Sequence, residues 1–217
     1  MERCSFDGRE PERRLQAGAF LHILSTKVGE TSARDTTRTP SPMDVMPQRW
    51  FDRTFDLGLA PDIFPGTLER LRGTPARLEE RLLARPEDVL TEKHEGGWSI
   101  QEHAGHLLDL ESLWAARVSE LLAGVVTLSA ADLGNRRTNE AKHNDRPIGT
   151  ILGDFRAERS ALVSQLERLT FEDLRKSSRH PRLGKSMTAV DLSYFVAEHD
   201  DHHLAAITRL LGLRARL

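Results

Sequence analysis

The stretch TAVDLSYFVAEHDDHHLAAITRLLG, residues 188–212, carries His199, His202 and His203 inside a segment that otherwise repeats apolar residues at helical spacing. On a helical wheel of about 100° per residue with His199 at zero, Leu192 and Leu210 fall near 20°, Phe195 near −40°, Val196 near 60° and Ala206 near −20°. His203 falls at about 40°, so it and His199 lie one turn apart in the middle of the apolar arc. His202, at about −60°, stands on the edge of that arc, and Asp200 and Asp201 are expected to face solvent. A lone core imidazole is usually satisfied by a carbonyl. Two side by side are harder to satisfy, because each buried nitrogen left unpaired costs about 1–3 kcal/mol. A metal ion resolves this by taking one nitrogen from each ring and leaving the other to an outer acceptor.

Outward from this stretch the chain reads as helix. Thr188-Ala-Val-Asp191 is a capping-type start, and the helix is expected to run to about Leu211 with Gly212 as its stop. Ser99-Ile-Gln-Glu102 is a capping box that opens a helix ending near Gly124. TLERLRGTPARLEERLLA, 67–84, places Leu68, Leu71, Leu78, Leu82 and Leu83 at helical spacing, and Pro75 is expected to kink or split it. Pro147 opens another helix that ends near Leu169. RPEDVL and Phe171–Arg175 read as short turns. HEGG, the polar SAADLGNRRTNEAKHNDRP (129–147) and SSRHPRLGKS (177–186) read as loops. No segment alternates long enough to be a strand. Four long amphipathic helices with long connecting loops predict an all-α four-helix bundle.

Composition narrows the function classes. The net charge of −2 leaves no electrostatic footprint for nucleic acid or an anionic membrane. No apolar run approaches the roughly 20 residues of a membrane span. AGAFLHIL, 17–24, lies behind Arg13 and Arg14, but its core is short, carries a histidine and lacks a clean cleavage site, so secretion is not expected. Cys4 is the single cysteine, which excludes an internal disulfide and suits a reducing compartment. The expected location is the cytoplasm. Residues 1–42 are polar and aperiodic, ending in TSARDTTRTPSP. They read either as a disordered tail or as a mis-set start ahead of Met43 or Met46, with the domain at 43–217.

Two imidazoles are too few for a firm metal site, so a third ligand must come from another helix. EHAGHLLDLE, 102–111, offers two. The wheel centres His103 in the arc of Ile100, Leu107, Leu110, Trp114 and Leu121, with His106 about 60° away, and it does not decide between them. Other chemistries lack their residues. There is no H-E-x-x-H, no G-x-S-x-G and no Gly-rich phosphate loop, and Glu140-Ala-Lys-His143 is a solitary E-x-x-H where a di-iron bundle needs two.

GGWSIQEHAGHLLDLE (96–111) and VAEHDDHHLAAI (196–207), in that order and at that separation, resemble the DinB-like (YfiT-like) four-helix-bundle superfamily. The resemblance extends more loosely over 48–213, including RLRGTPARLEERL at 70–82. It implies a metal held by three histidines: one eight residues after the Trp of the W-S motif, which is His106 counted from Trp98, and an H-x-x-x-H pair, His199 and His203. It thus prefers His106 where the wheel leans to His103. Three neutral imidazoles with an open fourth position describe a catalytic ion rather than a structural one. Zinc or nickel suits nitrogen ligands best. Members of the superfamily include S-transferases that use low-molecular-weight thiols such as mycothiol and bacillithiol, a related isomerase, and metal-dependent hydrolases. The expected activity is therefore transfer of a small thiol to an electrophile. The alternatives are a hydrolase in which water on the metal is the nucleophile, and a non-catalytic metal-binding or stress-related bundle. A small-molecule substrate and a homodimer are also implied.

The loop before the third long helix supplies further candidates. Glu140 and His143 could act as acid and base, and Asn139 and Asn144 could bind substrate. Arg136, Arg137 and Arg146 could hold the carboxylates of a thiol cofactor. Each could equally be a solvated surface residue. Asp109 and Glu111 lie about a turn from His106 and could orient its ring, or serve in caps and salt bridges. His22, His94 and His180 fall in the tail or in loops and are given no role.

Overall fold

A computed structural model describes Val45 and residues 48–214. The expectations for residues 1–42, and for starts at Met43 or Met46, fall outside the described residues. The elements are α1 (Phe64–Leu82), α2 (Glu87–Thr91), α3 (Ile100–Ala123), α4 (Arg136–Glu140), α5 (Ile148–Glu167), β1 (Ser177–Arg179), β2 (Ser186–Thr188) and α6 (Ala189–Arg214), joined by short 3₁₀ turns. The four long helices pack in a ring in which α1 touches α5 and α6, and α3 touches the same two. The chain is an all-α four-helix bundle.

Both capping boxes form. Ser99 Oγ accepts the Glu102 N–H at 3.1 Å while the Ser99 N–H donates to Glu102 Oε2 at 2.9 Å. Thr188 and Asp191 do the same at 3.1 and 2.9 Å, and Asp191 also accepts the N–H groups of Gly58 and Leu59. α3 ends at Gly124, whose φ of 71° is the left-handed conformation open to glycine.

Several sequence expectations are corrected. Pro75 does not split α1, which runs unbroken across it. Proline cannot donate to the Leu71 carbonyl, and Arg159 Nη1 supplies that hydrogen bond at 3.3 Å. Gly212 does not stop α6, which continues to Arg214, where the side chain pairs with Asp88 and Glu92. The polar loop at 129–147 is partly helical, containing α4 and the turn His143–Asp145. SSRHPRLGKS is a two-stranded antiparallel ribbon, with Ser178 opposite Met187. Its strands are three residues each, too short to show an alternation in sequence.

Asp200 is the largest correction. Expected in solvent, it is fully buried. It pairs with Arg159 of α5, which also holds Glu111 at 2.6 and 3.0 Å, and it accepts the Thr74 hydroxyl at 2.8 Å. This belt crosses the bundle at mid-height. On one side lie Leu71, Trp114, Val118 and Phe195, and on the other Leu78, Leu107, Phe155 and Ile207. α6 packs against α1 and α3 together, so its buried arc is wider than one apolar stripe and takes in Asp200. Asp201 is half-buried and pairs with Arg70 and Arg77 of α1.

Candidate metal centre

α6 presents His199 and His203 one turn apart, with their Nε2 atoms 3.2 Å from each other. His106 enters from α3, its ring centroid 5.3 Å from that of His199 and 4.8 Å from that of His203. One nitrogen from each of the three rings lies within 4.8 Å of the others, and all three residues are buried.

Hydrogen bonds fix how two of the rings are turned. His106 Nδ1 lies 3.0 Å from Thr138 Oγ1, and Thr138 Oγ1 lies 2.8 Å from Asp109 Oδ2. The hydroxyl has one hydrogen and the carboxylate can only accept, so Thr138 donates to Asp109 and His106 Nδ1–H donates to Thr138. That leaves His106 Nε2 with a bare lone pair. Asp109 Oδ2 also accepts from His143 Nε2 at 2.9 Å. Burial works to raise the Asp109 carboxyl, but the bonds from His143 and Thr138 outweigh it and hold it below the usual range. On the other side, His203 Nδ1 meets His103 Nδ1 at 2.9 Å, and the tautomer in which His203 donates leaves its Nε2 bare as well. His199 Nδ1 is buried with no partner.

The three rings are held neutral. Burial, followed by the neighbouring imidazoles, pushes His199 and His203 well below the ordinary value. Burial also pushes His106 down to about 4, against the pull of Asp109. Three neutral imidazoles offering lone pairs to one point form a donor set that fits a divalent ion. The 3.2 Å separation matches the edge of about 3.3 Å in a tetrahedron with metal–nitrogen bonds of about 2.0–2.1 Å.

The histidines form part of the wall of a cavity of about 840 Å³. Trp50, Trp98, Trp114 and Phe195 make much of the rest. Trp98 is anchored by its Nε1–H to Asn139 Oδ1 at 3.0 Å, with its ring 4.6 Å from that of His106.

The loop candidates have other places. Asn139 holds Trp98, and Asn144 accepts the Ser99 hydroxyl at 2.7 Å. Arg146 pairs with Asp154, and Arg137 reaches Ser112 and Asp109. Arg136 and Glu140 are exposed. His143 is buried behind His106, its ring against Gly105. None of these lines the cavity. His103 and His202 do line it, as neighbours of His203. The wheel leans to His103 because it counts Gln101, Gly105 and Asp109 as solvent-facing. Thr138 and His143 cover that side, which turns His106 inward. Glu111 belongs to the belt and does not reach His106. Thr138, Arg117, His180 and Arg182 were missed, the last three lining the cavity. Each sits in a polar stretch or on a helix face without a spacing that would mark it.

The fold and site define a helical bundle whose buried histidines line a pocket. The model of the DinB superfamily matches residues 70–207, and the chain belongs to that superfamily. Among solved structures it is similar to YfiT from Bacillus subtilis, with a TM-score of 0.65 and 19% identity over 75% of this chain and 94% of that chain. YfiT is described as "a probable metal-dependent hydrolase with an unusual four-helix bundle topology". At that identity the likeness shows the fold alone. Comparison with curated proteins gave no match. Among the described residues, no helix is long and apolar enough to cross a membrane.

Proposed function

We propose that the protein is a metal-dependent transferase that joins a low-molecular-weight thiol to an electrophile, with His106, His199 and His203 holding zinc or nickel. The observation that carries this reading is the convergence of three neutral imidazoles on the wall of a cavity with room for two small molecules. An ion bound there supplies the means to lower the pKa of a thiol or water and so yield a nucleophile at neutral pH. The chain's own part is positional. Asp109 and Thr138 fix the His106 ring, His103 fixes that of His203, and the three tryptophans exclude water.

Hydrolysis is the second reading, supported by the description of YfiT. It is ranked lower because, among the described residues, no buried carboxylate base lines the cavity. Asp132 is engaged by the N–H groups of Gly134 and Arg136, and Glu95 is exposed. A thiol needs less help, since its thiolate forms at a lower pH than hydroxide does. Metal analysis after reconstitution, then turnover of an electrophile such as monobromobimane with and without a small thiol, tests both. Failure to bind stoichiometric metal would sink both readings. Thiol-independent hydrolytic turnover would sink the first alone.

A further inference from the structure

Arg117 follows His106 by eleven residues on α3, on the same face and about 16 Å further along the axis. Trp114 stands between them, its ring 5.9 Å from that of His199 and 5.3 Å from the Arg117 guanidinium carbon. Arg117 is 1% exposed and lines the cavity. Among the described residues no carboxylate makes an ion pair with it, although Glu120 lies near enough to favour its charge, whereas the equally buried Arg159 has two such pairs. Its Nε and Nη2 donate to the Ser129 carbonyl at 3.0 and 2.7 Å. A guanidinium has further N–H groups to place, and a buried one without a counter-ion is costly.

The neighbours of Arg117 add donors. Its Nη1 lies 3.2 Å from His180 Nε2, and the Leu183 N–H donates to His180 Nδ1 at 3.2 Å. Both nitrogens of His180 thus face donors, and a neutral ring carries one hydrogen, so one of the two contacts sets donor against donor. Arg182, from the same ribbon turn, also lines the cavity, and its Nη2 is buried with no partner. The three groups feel one another: burial first, then the two guanidiniums, push His180 down to about 4. Arg209 adds positive charge to the cavity wall.

We propose that Arg117, His180 and Arg182 form an oxyanion subsite, which takes the carboxylate or phosphate of a small-molecule substrate whose other end reaches the histidine cluster. With the His180 hydrogen on Nε2, an oxygen seated beside Arg117 Nη1 and His180 Nε2 accepts from both and removes the donor–donor contact. Charge-assisted bonds of this kind are the strong ones. The subsite stands on its own donors; only the placing of the reacting end rests on the metal-centre reading.

The test is titration of glutarate, inorganic phosphate and the neutral glutaramide into the metal-loaded protein at low salt, followed by tryptophan fluorescence. At least one anion is expected to bind saturably, and the diamide at least tenfold more weakly. Whether glutarate or phosphate binds tells carboxylate from phosphate. Arg182→Gln and Arg117→Gln are expected to weaken that anion about tenfold or more with metal content unchanged. If Arg117→Gln does not fold, Arg182→Gln, at a half-buried position, carries the comparison alone. Wild-type protein stripped by a chelator is expected to keep the anion within about threefold. Binding of neither anion, equal binding of the diamide, unchanged affinity in Arg182→Gln, or loss of binding on stripping would each overturn the proposal. A protein that takes up no metal yet binds the anion would refute the metal reading and leave the subsite standing.

Discussion

Gly105→Ala should cost both stability and metal affinity, although alanine is the better helix former. A Cβ at position 105 would lie 2.2 Å from His143 Cγ, 2.4 Å from Cδ2 and 2.5 Å from Nδ1. The imidazole cannot fold away like a flexible chain end. Its backbone is clamped, because Gln101 Nε2 donates to the carbonyls of His143 at 2.6 Å and Arg146 at 2.7 Å. Its Nε2 is tied to Asp109 at 2.9 Å. Overpacking of this kind costs about 1–3 kcal/mol, and loss of the bond to the ionised Asp109 about 1.5–3 kcal/mol. The gain in helix propensity returns about 1 kcal/mol. A net loss of about 1.5–5 kcal/mol follows, or about 3–20 °C in Tm for a domain of this size. Because Asp109 holds His106 through Thr138, metal affinity should also fall about 10- to 100-fold. Thermal melts and a competing chelator measure the two effects. A double-mutant cycle isolates the contact: in a His143→Ala background the same Gly105→Ala change should be neutral or stabilising. Equal effects in both backgrounds, or a single variant within about 0.5 kcal/mol of wild type, would refute the packing argument.

Alanine at 106, 199 or 203 should abolish stoichiometric metal by elemental analysis. His103→Ala should keep the metal at about 10- to 100-fold lower affinity, and His202→Ala should keep it near wild type. Retention in His106→Ala with loss in His103→Ala would reverse the assignment. Arg159→Met should cost about 3–5 kcal/mol in urea unfolding, because it leaves Glu111 and Asp200 buried together; a loss below about 1 kcal/mol would show the belt to be dispensable. The metal-free protein should lose stability as pH falls through about 6.5. His103, His106 and His180 are held at about 4 when folded, and His199 and His203 well below the ordinary value, while the unfolded chain titrates near 6.5. The unfolded state therefore binds more protons below that pH, and each extra proton removes about 1.4 kcal/mol per pH unit. A urea midpoint that stays flat from pH 7.5 to 5 would contradict the neutral, buried imidazoles.

The parts of this molecule that were legible in its sequence are those whose partners lie close along the chain. Ser99 with Glu102 and Thr188 with Asp191 are three residues apart, and both caps form as read. His199 and His203 are one turn apart on one face, and they meet. Asp200 was misread because its partner Arg159 is on another helix, and a pairing across helices leaves no periodic trace. The split expected at Pro75 fails for the same reason: the Leu71 carbonyl it leaves open is met by that distant arginine. Between His103 and His106, periodicity leaned to His103, whereas the ring nitrogens that cluster are those of His106, His199 and His203. The side of α3 bearing Gln101, Gly105 and Asp109 is covered by a polar loop, and small or polar residues under such a cover look solvent-facing on a wheel.

Buried polar groups in this bundle divide by whether they complete one another. Arg159, Glu111, Asp200 and Thr74 close a set in which both carboxylates meet the one guanidinium and each has a hydrogen-bond partner, so the belt belongs to the fold. The cavity wall is different at each end. At the histidine end, three neutral imidazoles bring ring nitrogens within 4.8 Å of one another, which suits a site for a cation. At the Arg117 end, donors face donors and Arg182 Nη2 has no partner, which is the need of a site for an anion. Opposite needs at the two ends of one cavity select a ligand that carries a metal-seeking group at one end and negative charge at the other, separated by a spacer that runs over Trp114. The fold closes over such a gap only because α3 supplies both His106 and Arg117 from one continuous face, which fixes their separation whatever the loops do.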